Sequence, residues 1–272
     1  MKNIFFLFPL LFFLNSNELK VVSYNIRYNS PNDGINIWEN RKSTISKFFV
    51  DENPDFAGLQ EVTHSQLSYL SQSLVDYSFI GVGRDDGKTK GEYSPVFYNK
   101  KKYKVLFHDT FWLSPTPEKV SVGWDASMER ICTYAVFKSK TNKKNIWVFN
   151  THFDHIGIEA REKSADLIIS VINKLTEPED YVVLTGDFNL LDDSKPIMNL
   201  QSNFNDTNKN LEKTDKSYGT FNNFKLNFVS KSRIDYVFEK NFKLINSRHI
   251  IVKTPEGRWA SDHHPILAKL KF

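Results

Sequence analysis

Among 272 residues there is one cysteine, Cys132. A single thiol excludes any intrachain disulfide, and with neither a Cys cluster nor an HExxH spacing the chain offers zinc no recognisable ligand set. No GxSxG turn occurs, and Ser261 beside Asp262 lacks that context, which argues against a hydrolase of the Ser-His-Asp kind. Long Pro/Gly/Ser linkers and repeats at solenoid or propeller periods are also missing, so one continuous domain is expected. The net charge of +4 is spread thinly, with Lys100 to Lys102 a typical short cluster. A protein that grips a long phosphate backbone shows a denser basic stripe; nucleic acid is permitted here, not required. Beyond the first residues no apolar run approaches the about 20 residues of a membrane-spanning helix.

What is present is a large aromatic and aliphatic inventory, with 23 Phe, 11 Tyr and 40% hydrophobic residues. That is enough for a sizeable packed core. At the N-terminus Lys2 precedes an unbroken apolar run from Ile4 to Leu14 and then small and polar residues, the pattern of a secretory signal peptide. The expected division is a signal over 1–17, cleaved near Asn15 to Glu18, and a domain over 18–272. A secreted or periplasmic location and a monomer follow as expectations.

Hydrophobic periodicity alternates strands with a few helices. Helical spacing is read over about 38–50, around Leu67, Leu70 and Leu74, and over about 158–175. Strand patterns are read at 19–26, 56–60, 77–81, 94–98, 105–111, 133–139, 145–151, 181–184, 234–238, 243–251 and 266–270. The polar stretch 201–228 reads as loop surface and a candidate substrate-facing rim. Many strands with few helices favour two packed sheets with helices outside.

Five apolar strands end in polar residues unsuited to continuing them: VVSYN at Asn25, FAGLQE at Glu61, IWVFNTH at His152, YVVLTGDFN at Asp187 and Asn189, and the SDHHP segment at Asp262 and His263. A sixth segment, RIDYVF, places Asp235 inside an apolar strand, where a buried acid requires a partner. Singly, these residues read as turn formers or first-turn carboxylates. Together they would build a polar, acidic and histidine-bearing rim where strand ends meet loops.

In that order and wording the six segments, from about Val21 to Pro265, resemble the endonuclease/exonuclease/phosphatase superfamily. The resemblance implies an α/β fold, a four-layer α/β/β/α sandwich of two mixed sheets flanked by helices, with the active site at one sandwich edge. It implies a metal-dependent phosphoric ester hydrolase, with Glu61 as principal ligand of Mg²⁺ or Mn²⁺ and with Asn25 and Asp262 near the ion. Asp187 and Asn189 would orient water and phosphate, Asp235 would pair with His263, and His152 would contact phosphate oxygens, stabilising the transition state if protonated. Hard cations of this kind take oxygen ligands and need only one or two carboxylates. The proton of the attacking water would go to His263, held by Asp235, or to Asp187; the His263–Asp235 pair is the preferred base. Where some nuclease branches carry a second carboxylate, this chain has Arg27, which disfavours a second metal and offers a phosphate contact.

Arg84, Arg130 and Tyr98 are further candidates for substrate binding, since a guanidinium can hold oxygens in pairs. Trp112, Trp124 and Trp259 are candidates for a cleft wall. Among substrates, nucleic acid ranks narrowly ahead of a phospholipid headgroup or a sugar or inositol phosphate. A non-catalytic phosphate-binding module is the alternative from another class, disfavoured because Glu61, Asp187 and His263 are all retained.

Overall fold

In a computed structural model, which describes residues 17–210 and 218–272, the strands form two six-stranded mixed sheets. The proposed signal, apart from Asn17, lies outside the described residues.

The first sheet is assembled around β1 (Glu18–Asn25) and β2 (Phe56–Gln60), which run parallel with Asn25 opposite Gln60. On one side β2 pairs with β4 (Val96–Asn99), which carries β3 (Tyr77–Ile80); on the other, β1 pairs with β12 (Ile266–Lys271), which carries β11 (Lys243–His249). In the second sheet the parallel pair is β7 (Asn145–His152) and β8 (Tyr181–Asp187), which aligns His152 with Asp187. β8 is antiparallel to β10 (Asp235–Lys240), which places Asp235 opposite Asp187. The edges are β5 (Tyr103–Trp112), joined through β6 (Ile131–Ser139), and the two-residue β9 (Asn205–Asp206).

Alternation along β1 explains the layering. Leu19 and Val21 point into the core between the sheets, with Phe56, Phe137, Val148, Val183 and Val237. Val22 and Tyr24 point outward beneath α1 (Lys42–Glu52) and α2 (His64–Ser73), meeting Ile45, Phe49, Leu67 and Leu70. On the far side α3 (Ile158–Leu175) and α4 (Lys195–Asn203) cover the second sheet through Ile168, Ile172, Ile197 and Leu200. Strands buried on both faces read as continuous apolar runs, which is why VVLTG and YAVF carry little alternation. The result is the four-layer sandwich that the family resemblance implied.

Several boundaries differ from the sequence reading. The first helical segment is split: Trp38–Asn40 is a separate 3₁₀ turn, and α1 runs on to Glu52 before Asn53 turns left-handed at φ 45°. The 201–228 stretch begins inside α4, whose Pro at the first turn is compatible with a helix start but whose polar face hid it. Residues 211–217 lie outside the described set. Beneath the strand ends the sheets approach closely: a Cβ on Gly58 would sit 2.0 Å from Thr185 Oγ1 and 2.5 Å from Asn150 Oδ1. Among the described residues no helix is long and apolar enough to cross a membrane.

Candidate active site

Because β1, β2, β7 and β8 end at the same edge while β10 begins there, the polar strand ends converge on one cavity of about 550 Å³. Glu61, His152, Asp187, Asn189, Asp262, His263, Arg84 and Arg130 all line it. Asn25 and Asp235 sit fully buried just behind.

Asn25 ties the two sheets together. Its Nδ2 donates to Glu61 Oε1 at 3.0 Å and to Asp187 Oδ2 at 2.9 Å, and its Oδ1 accepts from the Arg27 amide. Glu61 leaves its strand with φ 60°, and its second oxygen accepts from the Tyr28 amide at 3.1 Å. Holding a non-glycine residue left-handed costs about 1–2 kcal/mol, a cost met where the strand end must aim the carboxylate into the cavity.

His263 Nδ1 lies 2.8 Å from Asp235 Oδ2, and its Nε2 lies 3.7 Å from Asp187 Oδ2. Burial opposes charge on His263, yet Asp235 and Asp187 outweigh it and hold the imidazole well above its ordinary pKa. Burial, reinforced by Asp235, pushes the Asp187 carboxyl up to about 7 against the pull of His263 and Asn25. Burial likewise pushes Asp262 up to about 6, with Glu61 adding to the rise and His263 and Arg27 opposing it.

The opposite wall is cationic. Arg84 pairs with Glu92 at 2.9 Å, and Arg130 reaches Asp154 at 3.3 Å and His155 Nδ1 at 3.0 Å. His152 stands between the walls, with Nε2 3.1 Å from Asn189 Nδ2, which also donates to the Phe153 carbonyl at 3.0 Å. An amide nitrogen only donates, so His152 Nε2 is the acceptor and the proton resides on Nδ1, which is buried without a partner. Burial, Arg130 and Arg84 hold His152 well below its ordinary pKa. The sequence reading let His152 stabilise charge only if protonated, and these neighbours disfavour that condition.

Tyr98 stands apart. It lies within β4, opposite Phe56 and Ser78, with its ring 5.0 Å from Phe137, and does not line the cavity. Nor do the three tryptophans; Trp112 supports it indirectly, its indole donating to the Arg84 carbonyl at 2.8 Å. Sequence reasoning did not single out Glu92, Asp33 or His155, which line the cavity, whereas Phe221 and Phe224 line it from the 201–228 stretch read as a substrate-facing rim. The first three sit in loops without periodicity, and only the GEY and NDG wording around Glu92 and Asp33 marked turns there.

The sequence profile of the endonuclease/exonuclease/phosphatase family matches residues 22–263. The chain belongs to that family. A solved family member from Bacteroides thetaiotaomicron is 34% identical, superposes with a TM-score of 0.87, and is covered to 98% by 94% of this chain. The mannosyl-6-phosphatase of the same organism is likewise 34% identical at a TM-score of 0.87, over 93% of this chain and 100% of that one. An uncharacterized protein of Acanthamoeba polyphaga mimivirus is 29% identical over 224 residues, 78% of this chain and 81% of its own. The family fold handles phosphoesters.

The donor set suits a hard divalent cation. Glu61 and Asp262 are oxygen donors on the same wall, and the upward displacement of Asp262 and Asp187 reflects buried negative charge short of compensation, which a cation would supply. Asp187, Asp235 and His263 also bring ligand atoms within 4.8 Å of one another, but there the His263–Asp235 hydrogen bond already uses one atom of each.

Proposed function

We propose that this protein is a metal-dependent phosphatase that removes the phosphate from a monoester of a small polyhydroxy alcohol, such as a hexose 6-phosphate. The observation that carries this reading is the division of one cavity into a carboxylate wall around Glu61 and a guanidinium wall around Arg84 and Arg130. A terminal phosphate brings up to two negative charges, and two fixed guanidiniums facing a metal-binding wall suit it better than the single charge of a diester. Likeness to a mannosyl-6-phosphatase across nearly the whole of both chains supports the same substrate class, and the lack of a basic tract weakens the earlier preference for nucleic acid.

Glu61 and Asp262 would hold Mg²⁺ or Mn²⁺, which supplies charge stabilisation on the phosphoryl oxygens. Asn25, whose amide is committed to Glu61, Asp187 and Arg27, positions Glu61. Asp187, poised near neutrality, takes the proton of the attacking water, while Asn189 fixes the loop that presents it. His263 is cationic beside Asp235, so it stabilises charge developing on the phosphate in preference to serving as base. His152 donates from Nδ1 to a phosphate oxygen, the acceptor that this buried N–H lacks. The apolar N-terminal run supports export, so the enzyme would act outside the cytoplasm as a monomer.

The test is a panel of mannose 6-phosphate, p-nitrophenyl phosphate, bis-p-nitrophenyl phosphate, sphingomyelin, RNA and plasmid DNA, with and without EDTA. Chelator-sensitive release of phosphate from the monoesters, well above the diester rates, is expected. Faster cleavage of DNA or of the diester would sink the monoester assignment.

A further inference from the structure

Arg27 is held on the carboxylate wall, where a cation binding to Glu61 and Asp262 would meet like charge. Its Nε and Nη2 donate in parallel to Asp33 Oδ2 and Oδ1, both at 3.0 Å. The guanidinium carbon lies 4.4 Å from the centre of the Tyr28 ring. The backbone is left-handed at φ 58°, and the Arg27 carbonyl accepts from Gln66 at 2.8 Å. These contacts fix the fork in one orientation. Nη1 then sits 3.8 Å from Glu61 Oε2, beyond hydrogen-bond distance, and Nε sits 3.9 Å from Asp262 Oδ2. Nη1 makes no hydrogen bond among the described residues, although the residue lines the cavity.

A five-donor group with two of its arms committed to Asp33 and the third left open is a preformed anion receptor. Its charge also matters to whatever occupies the neighbouring carboxylates. We infer that Arg27 is a built-in cation of this site, which binds a phosphate oxygen through Nη1 and weakens the divalent ion's hold on Glu61 and Asp262 until phosphate arrives. The clamp by Asp33 keeps the charge from being drawn fully onto those carboxylates, at distances where an ion pair is felt but no hydrogen bond forms. Phosphate, by adding negative charge between the guanidinium and the ion, relieves the repulsion, so that ion and phosphate favour each other's binding. This inference rests on the assignment of the ion to Glu61 and Asp262 made above.

Calorimetric titration of the full chain with Mg²⁺ alone, and then with inorganic phosphate in saturating Mg²⁺, separates the two roles. Arg27→Ala is expected to tighten Mg²⁺ roughly five- to twentyfold, by removing a like charge a few ångströms from the ligands, and to weaken phosphate roughly ten- to a hundredfold, by losing a charge-assisted hydrogen bond. Arg27→Lys keeps the charge and loses the fork, so Mg²⁺ affinity stays near wild type while phosphate affinity falls. A residue that merely shapes the loop would weaken both ligands or neither, and either result overturns the inference. Asp33→Asn, which loosens the clamp without touching Arg27, is the second variant should Arg27→Ala fold poorly; it is expected to weaken phosphate, and unchanged phosphate affinity counts against the proposal. Glu61→Ala separates the premises: Mg²⁺ affinity unaffected by it would refute the ion's placement, whereas Mg²⁺ affinity lost there but not raised by Arg27→Ala refutes the role of Arg27 alone.

Discussion

The two walls of the cavity are built differently. On the carboxylate side Asn25, Glu61, Asp187 and Asp235 stand at strand ends, where the sheet registers that align Asn25 with Gln60 and Asp187 with both His152 and Asp235 determine their spacing, and Asp262 joins them from just ahead of β12. The guanidinium side is assembled from connections: Arg84 is anchored on the 84–92 turn by Glu92, and Arg130 is held between Asp154 and His155 just ahead of β6. A register is shared by every residue of a strand, whereas a loop can be rebuilt one residue at a time. On the proposed function, the cation and the attacking water would therefore belong to the rigid wall and the grip on the substrate's phosphate to the adaptable one.

Substitutions that test this contrast should differ in kind as well as size. Asp187→Asn should lower kcat by about 10² to 10⁴, the range for loss of a general base, with KM nearly unchanged; stopped-time phosphate release on a monoester measures it. A comparable fall on changing Arg84 would abolish the distinction between the walls. Arg130→Ala comes next: it removes one partner of Asp154, whose carboxylate keeps its hydrogen bonds from Ser127, Ile156 and Gly157, so unfolding should cost about 1 kcal/mol less, read by urea titration, together with a raised KM.

The same contrast has a signature in pH. Asp187 binds its proton up to about pH 7 in the folded protein, against an ordinary value of 3.8. Between those values the folded state holds more protons than the unfolded one, so this group's contribution to stability declines as pH rises through that window. In metal-free protein, the Tm of wild type relative to Asp187→Asn should thus fall from pH 4 to pH 7, and Mg²⁺ should diminish the difference. A difference flat across that window would show that Asp187 titrates normally. Activity, which needs the deprotonated carboxylate, should drop on acidification below about 7. The smallest effect is expected for Tyr98→Phe, which lies away from both walls: stability within about 0.5 kcal/mol of wild type and unchanged kinetics.

Legibility in the sequence followed the same division. Asn25, Glu61, His152 and Asp187 were readable because an apolar run that stops at a polar group is a local signal; Asp262 and His263, which the reading also put at a strand end, instead lie in the connection ahead of β12, and Asp235 opens β10, so for these three the family's wording was the guide. The helix from Ile158 to Leu175 was equally clear from its apolar spacing. Invisible were features that depend on distant partners: the Arg27–Asp33 clamp across a turn, Glu92 opposite His152, and the protonation of the two histidines. His152 and His263 are identical residues, both buried, yet burial with the nearby arginines lowers the pKa of the first, whereas in the second nearby aspartates overcome burial and raise it. Tyr98 was misjudged for a related reason, since its strand is short and its ring turns to Phe137 in the sandwich interior.

Gly58 lies two residues before the rim, between the two sheets. With Thr185 Oγ1 and Asn150 Oδ1 filling the space a methyl group would need, a hydrogen atom serves as the spacer between the two halves of the molecule. Any larger residue would act as a wedge directly under the Asn25 bridge, spreading the distance between Glu61 and Asp187 without altering either. The spacing of the two sheets beneath the rim is therefore gauged by a side chain that is not there.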